Sequence, residues 1–428
     1  MKKNKDIVII GFALFSIFFG AGNLIFPPYI GLISGANWIE SFLGFVTSDV
    51  GLILLSIVAV SKVGSLRNVL GKAGKRFGLI LEVLIMLCLG PILVVPRTAA
   101  TTYEMSILPI FKGINPYMFS IIFFIVVLII TIKPNKVMDI IGKVLTPILL
   151  IALGVLIVKG IISPIGELQK VSSDELFING LTQGYQTMDA LGVGGVVALV
   201  MASFIEKGYK DEVENKKLIM KSSLIACIGL AIVYGGLTYL GATASTLYNG
   251  EISQTVLLMN ITKSILGSTG TIILAIVIGF ACLTTAVGLT SVTSKYFEDL
   301  TNKKVKYKHI VIFMCIFSAL ASNLGVDKII EIAAPILSLI YPVLILLVVM
   351  SIFGNVFKKS VAFKGAAYTT LLISSLNVID SFGISISIVH KLPFASLGFN
   401  WIVPAIVGGL VASLIFREKE NISLKEAC

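Results

Sequence analysis

What most constrains this chain is a succession of apolar runs near the length that crosses a bilayer. They fall at roughly 7–33, 38–60, 77–108, 116–132, 138–162, 176–205, 217–241, 268–295, 309–323, 328–353, 361–380 and 398–416. A hydrocarbon core takes about 20 helical residues to cross. Lipid offers backbone groups no partner, so the runs are expected to be helices that satisfy their own N–H and C=O groups. A membrane barrel would need short alternating strands, and no such pattern is present. Composition agrees, with 56% hydrophobic and 13% charged residues against about 25% charged in a soluble domain. The reading is an all-α polytopic membrane protein with about twelve transmembrane helices and no soluble domain.

Lys2, Lys3 and Lys5 precede the first run as they would in a signal peptide. Yet 33 residues separate Asp6 from Glu40 with no small-x-small cleavage site closing a short apolar region. The segment is expected to stay as a helix.

Basic residues set orientation. With the N-terminus inside, 27 of the 34 lysines and arginines fall on cytoplasmic stretches, including Lys133, Lys136, Lys143, Lys358, Lys359, Arg417, Lys419 and Lys425. Lys112, Lys159, Lys170, Lys263, Lys328 and Lys391 fall outside, and Arg97 lies within a span. Both termini are therefore expected in the cytoplasm of a cell-membrane protein. The net charge of +11 is spread over short loops, so it reflects topology and not a nucleic-acid surface. Cys88, Cys227, Cys282, Cys315 and Cys428 are too dispersed for a disulfide framework or a metal motif. No phosphate-cradling motif and no visible nucleophile–base set points to an enzyme.

Two runs are interrupted. The first reads "LFSIFFGAGNLIFPPYIG", residues 14–31, with Gly20, Gly22, Asn23, Pro27 and Pro28 where a span should continue. The sixth, between Glu175 and Glu206, is divided by Asp189 into pieces of 13 and 16 residues, with Gly184, Gly192, Gly194 and Gly195 around it. At about 1.5 Å per residue neither piece spans alone. The breaks lie in segments one and six, an odd offset of five, so the second one opens a unit of inverted topology. Paired interrupted helices in inverted repeats point to the binding site of a secondary transporter. The alternative is that the glycines serve helix packing and the prolines only kink.

Unwinding frees carbonyls for a cation and aims half-helix N-termini at an anionic group. At the first break, Asn23 offers an amide oxygen, carbonyls near Phe18 and Phe19 add ligands, and the N–H groups of Ala21 and Gly22 face a carboxylate. Pro27 and Pro28 are expected to begin the outer half-helix. In segment eight, Thr284 and Thr285 lie one turn beyond Ala281. Their hydroxyls and the Ala281 carbonyl suit Na⁺, a hard ion that prefers oxygen, although such threonines commonly bond back to the preceding turn. Asp189 has three possible uses: coordinating a cation, meeting a substrate ammonium, or capping a half-helix. Arg97 and Glu104, two turns apart, are expected to share a face and pair. Glu82 and Glu331 sit near helix ends, and Asp49 has no assigned role. The stretch 252–267 spaces Ile252, Val256, Ile261 and Ile265 as a short amphipathic helix.

"FFGAGNLIFPP" at 18–28 resembles a signature of bacterial branched-chain amino acid:cation symporters, and "GYQTMDALG" at 184–192 resembles their second signature. "GPILVVPRTAATTYE" at 90–104 is similar to their third helix. The resemblance implies the amino acid–polyamine–cation superfamily and its LeuT-like five-plus-five inverted-repeat fold, broken at helices 1 and 6. The repeats would span about 7–162 and 176–353, with peripheral helices at 361–416. It also implies import of leucine, isoleucine and valine with Na⁺, or in some members H⁺, and no other cofactor. By the same resemblance, substrate would meet Phe19, Gly20, Ala21, Gly22, Asn23, Tyr103 (or Ser106), Gln186, Thr187, Asp189, Ala190 and Phe280. The ion would meet Phe18, Phe19, Asn23, Ala281, Thr284 and Thr285.

Overall fold

In a computed structural model, the described residues are 2–111, 113–132, 137–173, 175–248, 250–354 and 360–415. Lys112, Lys133, Lys136, Lys358, Lys359, Arg417, Lys419, Lys425 and Cys428, used above for charge or cysteine arguments, lie outside them, as does the side chain of Lys143. Among the described residues there is no strand.

In chain order the α-helices are α1 (Lys2–Phe18), α2 (Ala21–Ser34), α3 (Trp38–Val46), α4 (Leu52–Val63), α5 (Leu66–Gly71) and α6 (Lys75–Leu87). Then come α7 (Val94–Thr102), α8 (Pro116–Ile132), α9 (Val137–Ile162), α10 (Leu176–Tyr185), α11 (Asp189–Glu206) and α12 (Glu212–Thr243). The series ends with α13 (Gln254–Leu300), α14 (Tyr307–Ala321), α15 (Val326–Ile352), α16 (Ser360–Ser381), α17 (Ser387–Lys391) and α18 (Ile402–Ile415). Among the described residues, each of the twelve apolar runs falls largely on helix. Among the described residues, six helical stretches are long and apolar enough to cross a membrane unaided, and seven if the bent pair α10–α11 is one span. The shorter ones include α8, which exposes Ile121, Ile122, Ile125 and Ile129. Such a bare aliphatic face suits lipid and would be a liability in water.

The second run is α3 and α4 joined through a π-helical turn at Thr47–Gly51, and the third joins α6 and α7 through another at Cys88–Ile92. A wider turn shifts the side chains that follow and often marks a functional position. In α13, Gly267 takes φ +69°, so a short helix at 254–266 turns a corner into the long apolar helix. Leu257, Leu258, Ile261 and Ile265 form its buried stripe, whereas Val256 is exposed, contrary to expectation.

Two compact units are present, Met1–Ile57 with Val83–Ala334, and Val58–Glu82 with Pro335–Cys428. In the first, Val95, Ala99, Phe123, Phe124, Val127, Val287, Val311 and Met314 make one apolar cluster from α7, α8, α13 and α14. Glycines bring its backbones together: a Cβ on Gly241 would stand 1.8 Å from the Pro28 carbonyl oxygen, and one on Gly180 would stand 1.9 Å from that of Ser41. These contacts press α12 on α2 and α10 on α3. In the second unit α16 packs on α18, where a Cβ on Gly365 would stand 2.4 Å from the Gly408 carbonyl oxygen. There Glu82 pairs with Arg67 at 2.8 Å. In the first unit the exposed Glu331 pairs with Lys328 at 2.7 Å.

Candidate functional site

The first interruption is short. α1 ends at Phe18, α2 begins at Ala21, and Gly20 between them is extended, with φ −111° and ψ −167°. The last carbonyls of α1, Phe18 among them, have no acceptor's role within their own helix. Gly20 N–H donates to Asn23 Oδ1 at 3.0 Å. The Asn23 oxygen, expected to face a cation, therefore closes the first turn of α2 from within. Pro27 and Pro28 lie inside α2 and do not begin it. The helix restarts at Ala21, so the prolines correct the expected boundary by about two turns.

The second interruption occupies Gln186–Met188, with α10 and α11 meeting at 44°. Gln186, Thr187 and Met188 each bond back three residues, to Gln183, Gly184 and Tyr185. Met188 then takes φ +64° and ψ +13°, the left-handed region, which a residue with a long side chain enters at a cost of about 1–3 kcal/mol. The glycines expected to open this backbone do other work or none. Gly184 lets α10 approach Ser48, whose Oγ would stand 1.9 Å from a Cβ there, while Gly192 faces open space.

One side chain ties the interruptions together. Asn23 Nδ2 donates to Asp189 Oδ2 at 2.7 Å and also to the Tyr234 hydroxyl. Thr187 Oγ1 lies 2.7 Å from Asp49 Oδ1 and 2.8 Å from the Gly184 carbonyl oxygen, sharing one proton between two acceptors. It also receives the Asp189 N–H at 3.5 Å. Asp49 is wholly buried within the π-helical turn at Thr47–Gly51, and the Tyr234 hydroxyl faces it too. Ala190 is buried beside this network, and Phe19 and Phe45 pack on the Tyr234 ring. Two carboxylates, an amide, two hydroxyls and freed backbone thus converge on the paired breaks.

Arg97 completes the cluster. It is 2% exposed, and its Nη1 donates to the Gln186 carbonyl oxygen at 2.7 Å. The expected Arg97–Glu104 pair does not form. Glu104 instead accepts from Thr255 Oγ1 at 2.5 Å and from Val326 N–H at 2.9 Å, because seven residues at about 1.5 Å each carry it roughly 10 Å along the helix from Arg97, to the end that meets α13 and the start of α15.

Other expected residues lie apart. Tyr103 donates to the Ile114 carbonyl at 2.7 Å and lines a separate cavity of about 190 Å³ with Glu104, Phe119, Ser120 and Asn323. Ser106, the alternative to Tyr103, faces α13, its Oγ 3.1 Å from where a Gly279 Cβ would stand. Phe280 is 43% exposed and does not join the cluster. Thr284 and Thr285 donate to the Ala281 carbonyl at 2.8 and 3.0 Å, the back-bonded arrangement foreseen as the alternative. A hydroxyl that donates in this way keeps its lone pairs, so the two oxygens still suit a hard cation. Tyr234 was missed by sequence reasoning, since a tyrosine in an apolar helix carries no sign of what it meets.

Residues 3–419 match a family described as branched-chain amino acid transport protein. The chain is 34% identical to the branched-chain amino acid permease BrnQ of Bacillus subtilis, over 97% of this chain and 98% of that one. It is 36% identical to the permease BraB of the same organism, over 96% and 95%. It is also 33% identical to the branched-chain amino acid transport system 2 carrier protein of Pseudomonas aeruginosa, over 97% of each. Among solved structures it resembles a Na⁺-coupled sialic acid symporter in a substrate-bound outward-open state, with TM-score 0.61 and 15% identity, covering 95% of this chain and 89% of that one. MhsT in complex with L-phenylalanine gives TM-score 0.55 at 16% identity, covering 95% and 98%. Inward-facing Mhp1 gives 0.59 at 14%, covering 94% and 90%. At these identities the likeness shows the fold, which is LeuT-like.

Proposed function

The chain belongs to the branched-chain amino acid transport protein family, and on that premise we propose that it imports leucine, isoleucine and valine by Na⁺ symport through alternating access. It is a multi-pass membrane permease and not an enzyme. The observation that carries the proposal is the Asn23–Asp189 hydrogen bond, which joins two breaks at the place where such carriers hold their cargo.

Charge supports a cation as co-substrate. Among the described residues at the breaks, two carboxyls, Asp49 and Asp189, stand beside the single guanidinium of Arg97, so with both carboxyls ionised one negative charge is in excess. Buried uncompensated charge is costly, and one monovalent cation would offset it. For Na⁺, the Ala281 carbonyl with Thr284 and Thr285 supplies three oxygens, to which Phe18, Phe19 and Asn23 would add theirs. An apolar pocket separates aliphatic side chains by about 1–3 kcal/mol per methylene, so leucine, isoleucine and valine would share the site and alanine would bind more weakly.

A second reading couples transport to H⁺, and it draws on the same two carboxylates. Radiolabelled leucine uptake into proteoliposomes, under a Na⁺ gradient, a proton gradient or neither, separates the two. Uptake that follows Na⁺ supports the proposal, and uptake that follows pH alone supports proton coupling. Absence of leucine uptake under both gradients overturns the assignment.

A further inference from the structure

The face that carries the N-terminus holds another cavity, of about 290 Å³. Its walls are the starts of α1 and α12, which are held together where the Ser222 hydroxyl donates to the Ile7 carbonyl at 3.0 Å. The space far exceeds the roughly 10–15 Å³ that one water needs. Five charged side chains line it: Lys3, Asp211, Glu214, Lys217 and Lys221. Three of the five are committed. Lys3 pairs with Glu214 across the two helices. Asp211 caps α12 by accepting the Glu214 N–H at 2.8 Å, where its charge meets the positive end of that helix. The neighbouring Glu212 is taken by Lys216 at 2.7 Å. Among the described residues no carboxylate pairs with Lys217 or Lys221. These two stand one helical turn apart, about 5–6 Å between their Cβ atoms, so the cavity keeps two uncommitted positive charges.

The surface beside them is apolar. Val213, Lys217, Lys221, Leu224, Ile228 and Ile232 follow one another at intervals of three or four residues, and all are exposed. That spacing puts them in a single stripe along α12. The two lysines stand at the end of the apolar run 217–241, where such side chains lay their stems on hydrocarbon and keep the ammonium in the polar interface. A free anion would use the charges and gain nothing from the aliphatic track. A molecule with a phosphate at one end and acyl chains at the other matches both.

We propose that this cavity binds the headgroup of an anionic phospholipid, its phosphate between Lys217 and Lys221 and an acyl chain along Leu224, Ile228 and Ile232. Basic pockets between membrane helices take such headgroups. The site does not depend on which substrate or ion the protein carries.

The test titrates purified full-length protein in a neutral detergent with dioleoylphosphatidylglycerol, and with zwitterionic dioleoylphosphatidylcholine for comparison, and counts bound lipid by native mass spectrometry. The wild type is expected to bind the anionic lipid more tightly. Lys217→Gln combined with Lys221→Gln should weaken the anionic lipid about 10- to 50-fold, the scale of two lysines at a charged surface, and leave the zwitterionic lipid within about twofold. Both lysines are exposed, so the melting temperature should stay at the wild-type value. Lys217→Arg combined with Lys221→Arg keeps both charges and should retain binding. Lys304→Gln combined with Lys308→Gln removes the same charge near the start of α14, outside the cavity, and should leave both lipids unaffected. Equal binding of the anionic lipid by wild type and the Lys217/Lys221 glutamine variant would overturn the proposal. An equal loss in the Lys304/Lys308 variant would also overturn it, since net charge alone would then explain the effect. Displacement of the lipid by millimolar inorganic phosphate would point to a free-phosphate site and contradict the lipid assignment.

Discussion

Asn23 and Asp189, 166 positions apart in the chain, are joined by a 2.7 Å hydrogen bond between two interrupted helices. The same asparagine accepts the Gly20 N–H, so one side chain shapes its own break and positions the acid of the other. Its Nδ2 also reaches the Tyr234 hydroxyl on α12. A movement of α1–α2 relative to α10–α11 must therefore stretch or re-form bonds at Asn23. That places the network where binding and conformational change meet.

Thr187 links this network to Asp49. Thr187→Val keeps the shape and removes the hydroxyl, leaving the Asp49 carboxylate short of a donor at a cost of about 1–3 kcal/mol. Uptake should fall about tenfold or more. Thr187→Ser keeps the hydroxyl and should retain most activity. Equal uptake by the valine and serine variants in proteoliposomes would remove Thr187 from the account.

Thr284 and Thr285 bear on the ion. Thr285→Ala should raise the Na⁺ concentration for half-maximal leucine uptake by about 5- to 150-fold, the usual range of coupling between two ligands. At saturating Na⁺ its leucine affinity should stay near that of the wild type. Titrating uptake with Na⁺ at fixed leucine checks this. Full Na⁺ dependence at the wild-type midpoint would remove Thr285 from the ion site.

The packing beneath the first break depends on Gly241, where a Cβ would meet the Pro28 carbonyl oxygen at 1.8 Å. Gly241→Ala cannot be absorbed by a side-chain rotation, because both partners are backbone. α12 must move away from α2, and such overpacking costs about 1–3 kcal/mol. A lower melting temperature and reduced uptake are expected. Gly192→Ala, at a position facing open space, should leave the melting temperature nearly unchanged.

The apolar runs and the paired breaks were legible because lipid permits few irregularities, so glycine and a polar residue inside a span stand out. Asn23 and Asp189 were identified by type, yet their bond to each other was not, since helical spacing says nothing about partners across helices. Arg97 was paired with Glu104 because six intervening residues seemed to preserve a common face. The rise of roughly 10 Å over seven helical residues and the bonds of Glu104 to Thr255 and Val326 undo that inference. The prolines misled for a related reason. Pro27 and Pro28 are tolerated inside α2, where the restart is fixed by the Gly20–Asn23 bond and not by proline geometry. Met188 could not be foreseen at a left-handed position that glycine usually takes.

The central claim, that the joined breaks are the leucine site, is most directly tested by leucine-dependent melting of wild type and Asn23→Ala in Na⁺ buffer. A ligand at about 100 times its dissociation constant stabilises the folded state by about 2.7 kcal/mol. The account predicts a clear upward shift for the wild type and little or none for a folded Asn23→Ala protein at the same leucine concentration. An equal shift in both proteins would contradict it.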